Sequence, residues 1–166
     1  MSQSGTFNLP EATNNVIDMI CTVLYKIVNH SQSIQQGNQG GIRLESTPFD
    51  LKVAPNVDLK SYLARIVYYS RVSISTLIST LALIDKFINK CKFTLTEKNL
   101  HMVVLTGLGI SMKVSEDITL KDSDYAFLGM ISHKMFVYNE SIFLNAIEYR
   151  AFINEAEYNC YEKLFK

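Results

Sequence analysis

Between residues 12 and 30 the apolar side chains fall at Val16, Ile17, Ile20, Val23, Leu24, Ile27 and Val28. That three-and-four spacing lines one face of a helix, so a helix is predicted over 12–30. Ser31 to Ser46 is rich in Gln, Ser, Asn and Gly and has little to bury, which predicts a flexible loop over 31–47. Asp58 is placed to cap a helix with the inner face Leu59, Tyr62, Leu63, Ile66 and Val67. Ser73 is placed to cap the next, with the face Ile74, Leu77, Ile78, Leu81, Ile84 and Ile88. Thr96 opens a further helix, with Glu97 in its positive first turn, that carries Leu100, Val103, Val104, Leu108 and Ile110. A polar connection, Ser115 to Ser123, leads to a short helical piece through Tyr125 and Leu128 that ends at Gly129. Ser132 then caps a helix bearing Met135, Phe136, Ile142, Phe143, Ala146 and Ile147. Asn154 with Glu157 three residues on forms a reciprocal cap for a last helix over 154–166.

Almost no segment alternates with period two. The pattern predicts an all-α fold of about six or seven helices in one domain, with Pro48 and Pro55 confined to the extended approach to the second helix. Gly107, Gly109 and Ser111 interrupt the fourth apolar run. A helix-interior glycine costs about 1 kcal/mol relative to alanine, so small residues at alternate positions require closely approaching neighbours. This helix is therefore predicted to be the crowded centre of the bundle.

Composition narrows the function classes. A chain of 166 residues with 48% apolar content can bury a core without disulfides or metal. Sixteen basic and sixteen acidic side chains cancel, which leaves no broad field for nucleic acid or a membrane surface, so neither is expected as a partner. Cys21, Cys91 and Cys160 are scattered and have apolar neighbours, so they read as buried thiols in a reducing compartment. The polar first fifteen residues lack a basic leader, and the longest apolar stretch, Ile74 to Ile88, is short and contains Asp85 and Lys86. A cytoplasmic or nuclear location is expected. His30, His101 and His133 form no metal-ligand motif, and no nucleophile elbow, phosphate loop or dinucleotide fingerprint occurs. No metal, cofactor, small-molecule substrate or catalytic centre is expected.

Specific residues go further. Phe49, the run Ser61 to Ile66 (S-Y-L-A-R-I), Leu83 to Phe87 (L-I-D-K-F), Leu95 to His101 (L-T-E-K-N-L-H), Lys113 with Glu116-Asp117, Tyr125 to Ser132, and Asn139-Glu140 followed by Phe143-Leu144 stand in a fixed order. Taken together this series resembles the P-type (Pho80-like) cyclins, partners of Pho85-type cyclin-dependent kinases, from about residue 14 onward. Departures from the family pattern are Met102, Val114, Thr119 to Asp122, and Met130 in place of a second glycine. The resemblance implies a single cyclin box of five helices over about 56–150. An extra N-terminal helix precedes the box, a C-terminal helix over 154–166 follows it, and residues 1–11 are a flexible N-terminus. The end of the chain at Lys166 gives the further expectation that no second helical repeat follows.

The same resemblance implies a non-catalytic regulatory subunit that binds and activates a cyclin-dependent kinase in cell-cycle or nutrient signalling. Lys113 and Glu140 match the lysine and glutamate with which cyclins hold main-chain groups beside the kinase's regulatory helix, and Glu116 and Asp117 are further candidate contacts. Asp85 matches a structural aspartate of the box, for which Arg65 is the candidate cation. Pro55 to Leu59 occupy the place of the hydrophobic substrate-docking motif of other cyclins, so recruitment through that patch is not expected. Tyr62, Tyr68, Tyr69, Phe136 and Phe143 are open between core and interface, with Phe143 expected inside. The rival reading is a helical cyclin-fold adaptor or scaffold whose partner is not a kinase.

Overall fold

A computed structural model describes residues 6–37 and 47–166. Residues 1–5 of the expected flexible N-terminus and 38–46 of the expected loop lie outside the described residues. The elements are α1 (Glu11–Gly37), α2 (Leu59–Ser70), α3 (Ile74–Cys91), α4 (Leu100–Ser115), α5 (Asp122–Leu128), α6 (His133–Ala146) and α7 (Glu155–Glu162), followed by a short 3-10 turn, Lys163–Phe165. The described residues contain no strand.

α1 runs seven residues beyond the predicted end at His30. Ser31 and Ser33 return their hydroxyls to the carbonyls of Ile27 and Asn29, both at 3.0 Å, so these polar residues ride on the helix instead of breaking it. Just before α1, Leu9 packs on the core and Phe7 lies against Tyr68 and Tyr69, with ring centroids 5.3 and 5.8 Å apart. The predicted caps of α2, α3, α6 and α7 are all made. Asp58, Ser73, Ser132 and Asn154 accept from the N–H groups of Ser61, Thr76, Met135 and Glu157 at 2.8, 3.2, 3.1 and 2.9 Å.

The start of α4 differs from the prediction. Thr96 does not cap it, because the Asn99 carboxamide oxygen takes the Thr96 N–H at 2.8 Å and closes a turn over residues 96–99. Asn99 also donates to Asp50 Oδ1 at 3.0 Å and to the Thr94 carbonyl at 3.1 Å, so this buried amide fastens the segment before α2 to the mouth of α4.

Every residue of α4 from Leu100 to Met112 is buried, with α2, α3, α5 and α6 packed around it. A helix apolar on all sides belongs at a bundle's centre. The two glycines explain how its neighbours come so near. A Cβ on Gly107 would stand 2.9 Å from Ile84 Cγ1 of α3, and one on Gly109 would stand 2.9 Å from Phe136 Cζ of α6. Around this axis Phe87 stacks on Phe143 with centroids 4.3 Å apart, and Phe49 meets Phe87 edge-on at 5.5 Å.

Three expectations are corrected. Ile74 is 37% exposed, because the first turn of α3 projects past its neighbours. Cys91 and Cys160 are exposed, one in the last turn of α3 and one on the outer side of α7; only Cys21 is a buried thiol. Burial and the nearby Asp18 carboxylate push the Cys21 thiol up to about 12.

His101 is buried under Tyr62, and its Nε2 lies 2.7 Å from the Val57 carbonyl. A carbonyl only accepts, so Nε2 carries the proton and Nδ1 is left without a partner among the described residues. Burial lowers the imidazole below its ordinary 6.5, outweighing the Val57 carbonyl and the Asp58 charge, which pull upward. The unfolded chain therefore takes up this proton more readily than the folded one. The associated stability is intact above pH 6.5 and declines as pH falls through and below it.

Two outcomes follow. Thermal melts of the wild-type chain should give a lower midpoint at about pH 5.5 than at about pH 7.5, with His101→Gln narrowing that difference. For the double variant Gly107→Ala/Gly109→Ala, helix propensity alone would add about 1 kcal/mol per site. Crowding against Ile84 and Phe136 is expected to reverse this to a net loss of about 1–3 kcal/mol in denaturant unfolding.

Candidate functional site

Lys113 lies in the last turn of α4, where the helix dipole favours a cation. Its ammonium bonds Glu140 Oε2 of α6 at 2.7 Å and Asp122, the first residue of α5. The Phe136 ring lies beneath it, 5.8 Å from Nζ to the centroid. Phe136 in turn stacks on Tyr125 at 5.5 Å, and the Tyr125 hydroxyl lies 2.9 Å from Thr119 Oγ1 and 3.0 Å from Met112 Sδ. The charged cluster thus stands on an aromatic floor built by α4, α5 and α6.

The cluster is only partly covered: the side chains of Lys113, Asp122 and Glu140 are 33%, 31% and 17% exposed. Burial disfavours the Lys113 charge, but its bonds to Asp122 and Glu140 outweigh that and raise its pKa above the ordinary lysine value. One cation faces two carboxylates, so the cluster carries a net negative charge. Exposed Val114 adjoins Lys113 in the chain. On α6, exposed Val137 and Tyr138 precede Glu140 and line an open groove of about 780 Å³ with Met135, His133 and Lys134.

The other predicted site residues divide. Glu116, directly after α4, turns inward and accepts the Ser73 N–H at 2.9 Å. Burial works against its charge, but the Ser73 and Thr76 donors prevail and hold the carboxyl below its usual value. Glu116 therefore ties the end of α4 to the start of α3. Asp117 is exposed in the turn that follows.

Asp85 is not paired with Arg65. Its carboxylate accepts the Tyr161 hydroxyl from α7, while the Arg65 guanidinium lies 6.0 Å from the Phe127 ring centroid on the α5 side. The reason is helical phase: Asp85 is on the face of α3 that packs against α7, and Arg65 is on a face of α2 turned toward α5. Burial, and then the Asp85 charge, push the Tyr161 hydroxyl above its ordinary value and keep it a donor.

Among the aromatic candidates Tyr62, Phe136 and Phe143 are core, and Tyr68 and Tyr69 are exposed. Tyr62 donates to the Gly129 carbonyl at 3.1 Å. A Cβ on Gly129 would fall 2.2 Å from Leu105 Cδ2, so this glycine is required by close approach. Met130 beside it has φ 58, a left-handed conformation that suits glycine and costs a side chain about 1–2 kcal/mol.

Sequence reasoning missed Asp122, Tyr161 and Asn99. Asp122 sits within an apparently featureless polar connection, and Tyr161 is 76 residues from Asp85, so no local spacing marks either as a partner. Asn139, beside Glu140, is fully buried with neither amide atom hydrogen-bonded among the described residues.

A family model described as Cyclin matches residues 14–151. The chain belongs to the cyclin family. It is similar to Cyclin-U4-3 of Arabidopsis thaliana, at 24% identity over 162 residues that cover 97% of this chain and 71% of the relative. Cyclin-U2-1 of the same plant is 25% identical over 155 residues, covering 89% and 68%. Cyclin-P3-1 of Oryza sativa subsp. japonica is 25% identical over 117 residues, covering 70% and 49%. The bundle is the cyclin-box fold, α2 to α6, flanked by α1 and α7. As a cyclin the chain is a regulatory protein of a family that binds cyclin-dependent kinases and is generally non-catalytic.

Replacing either member of the Asp85–Tyr161 pair breaks a hydrogen bond to a charge, worth about 1.5–3 kcal/mol. Tyr161→Phe should lower unfolding stability by that order and be non-additive with Asp85→Asn in a double-mutant cycle. Arg65→Ala should cost less than about 1 kcal/mol, the scale of its contact with Phe127, and be additive with Asp85→Asn.

Proposed function

We propose that this cyclin binds and activates a cyclin-dependent serine/threonine kinase, Pho85-like or similar, by receiving the kinase's regulatory helix on the face around Lys113 and Glu140. The observation that carries this reading is the meeting, at 2.7 Å, of two side chains 27 residues apart, from different helices, on a partly exposed surface. A lysine with a spare donor and a glutamate with a spare oxygen can bond a carbonyl and an amide of a partner's main chain. The open groove along α6, lined in part by Val137 and Tyr138 on the helix that bears Glu140, offers apolar area of the kind an interface core requires.

Activation by such a face involves no chemistry in the cyclin. A kinase works when a strand lysine pairs with a glutamate on its regulatory helix, and a cyclin that prefers that arrangement shifts the population toward it by its differential affinity. Asp117 is accessible to the same partner, whereas Glu116 is engaged with Ser73. We extend the reading to the P-type (Pho80-like) branch, supported by the likeness to Cyclin-P3-1, and to cell-cycle or nutrient signalling in the cytoplasm or nucleus.

The double variant Lys113→Ala/Glu140→Ala is expected to keep its helical circular dichroism. Its affinity for a purified cyclin-dependent kinase with a P-S-T-A-I-R-E-like regulatory helix should fall more than about 30-fold, the scale of an interface hot spot. Undiminished kinase binding by the folded variant would remove the site. Capture of only non-kinase partners by the wild-type chain would favour the adaptor reading.

A further inference from the structure

We infer that Asp122 is a positioning residue of this docking face, fixing the Lys113 ammonium so that its one remaining N–H has a set direction for a partner's carbonyl. The inference rests on the kinase-docking reading for its biological meaning, but its physical content is a property of the free chain. An ammonium has three donors and no acceptor. Asp122 takes one and Glu140 Oε2 another, while the Phe136 ring closes the side beneath. The three N–H bonds turn together about Cε–Nζ, so two anchors on different helices fix the place of Nζ as well as the direction of the third N–H. A lysine held by Glu140 alone could still swing about that one bond on its flexible four-carbon stem, which makes it a poorly aimed donor.

Charge points the same way. Glu140 already neutralises Lys113, so the second carboxylate is not needed for balance. It lets Lys113 be shared, and Glu140 Oε1 stays without a hydrogen bond among the described residues. The face then offers a fixed donor and an open acceptor side by side, the complement of a main-chain carbonyl and amide. Docking need not break the Asp122 bond, because the third donor is unused among the described residues. Removing Asp122 therefore weakens binding by restoring disorder; it does not free a sequestered lysine.

A purely structural role for Asp122 is the competing account, since it lies in the positive first turn of α5. Asp124 in the same turn already accepts the Lys121 N–H at 3.3 Å. Two measurements separate the accounts.

In the free chain, nitrogen-15 NMR of the lysine side chains should show an ordered Lys113 ammonium in the wild type, a mobile one in Asp122→Ala, and partial recovery in Asp122→Asn. Equal order in wild type and Asp122→Ala would overturn the inference whatever the partner is. With the purified kinase, Asp122→Ala should weaken binding about 2- to 10-fold, the range set by ordering one long side chain. It should have no further effect on binding in a Lys113→Ala background, whereas any melting-temperature loss from what Asp122 gives α5 apart from Lys113 should persist there. Wild-type affinity in Asp122→Ala together with lost affinity in Lys113→Ala overturns the role of Asp122 alone. Wild-type affinity in Lys113→Ala overturns the docking reading, and the NMR comparison still decides whether Asp122 orders the lysine.

Discussion

The close approach of α3 and α6 to α4 at Gly107 and Gly109 is the constraint on which the other features of this cyclin depend. Ile84 and Phe136 come within 2.9 Å of where β-carbons would lie, so the neighbouring helices sit nearer the axis than alanines would readily permit. That proximity seats Phe136 beneath the end of α4 and brings α6, with Glu140 one turn further along, within reach of Lys113. Larger residues at these positions would push α6 outward. The charged cluster would then be lost along with the packing.

The cluster shows how charged side chains can stand at a surface without being solvated like ordinary exposed ones. An isolated exposed lysine–glutamate pair contributes little, because solvent screening and side-chain entropy offset its attraction. Here three elements converge, the aromatic floor excludes water from one side, and the second carboxylate restricts the lysine further. The balance of desolvation against hydrogen bonds favours the charged lysine. Glu116, by contrast, is drawn inward by an unpaired backbone N–H at the start of α3 and so serves the fold.

Two features near the candidate site depart from idealised construction. Met130 takes a left-handed conformation beside a glycine that does not, and Asn139 holds an unbonded amide in the core one residue from Glu140. The first precedes α6 and the second lies within it, the helix that bears the candidate site. Local inconsistency of this kind is expected where a surface serves recognition more than stability.

The sequence by itself determined the elements whose signals are local. Apolar spacing and the caps at Asp58, Ser73, Ser132 and Asn154 act within four residues, so the all-α fold, the faces of α2 and α6, and the centrality of α4 were legible. The placement of Lys113 and Glu140 on one face was legible through the family resemblance, and their bond to each other was not. Only the tertiary structure decided the rest. α1 continued through Ser31 and Ser33 because hydroxyls bonded back to its own carbonyls, and Asn99 replaced Thr96 at the mouth of α4 by reaching across to Asp50. Asp85 chose Tyr161 over Arg65, and Lys113 gained Asp122, because helical phase and packing set which charges meet. Hydrogen bonds and ion pairs act over about 3 Å in space, and separation along the chain carries no record of that distance.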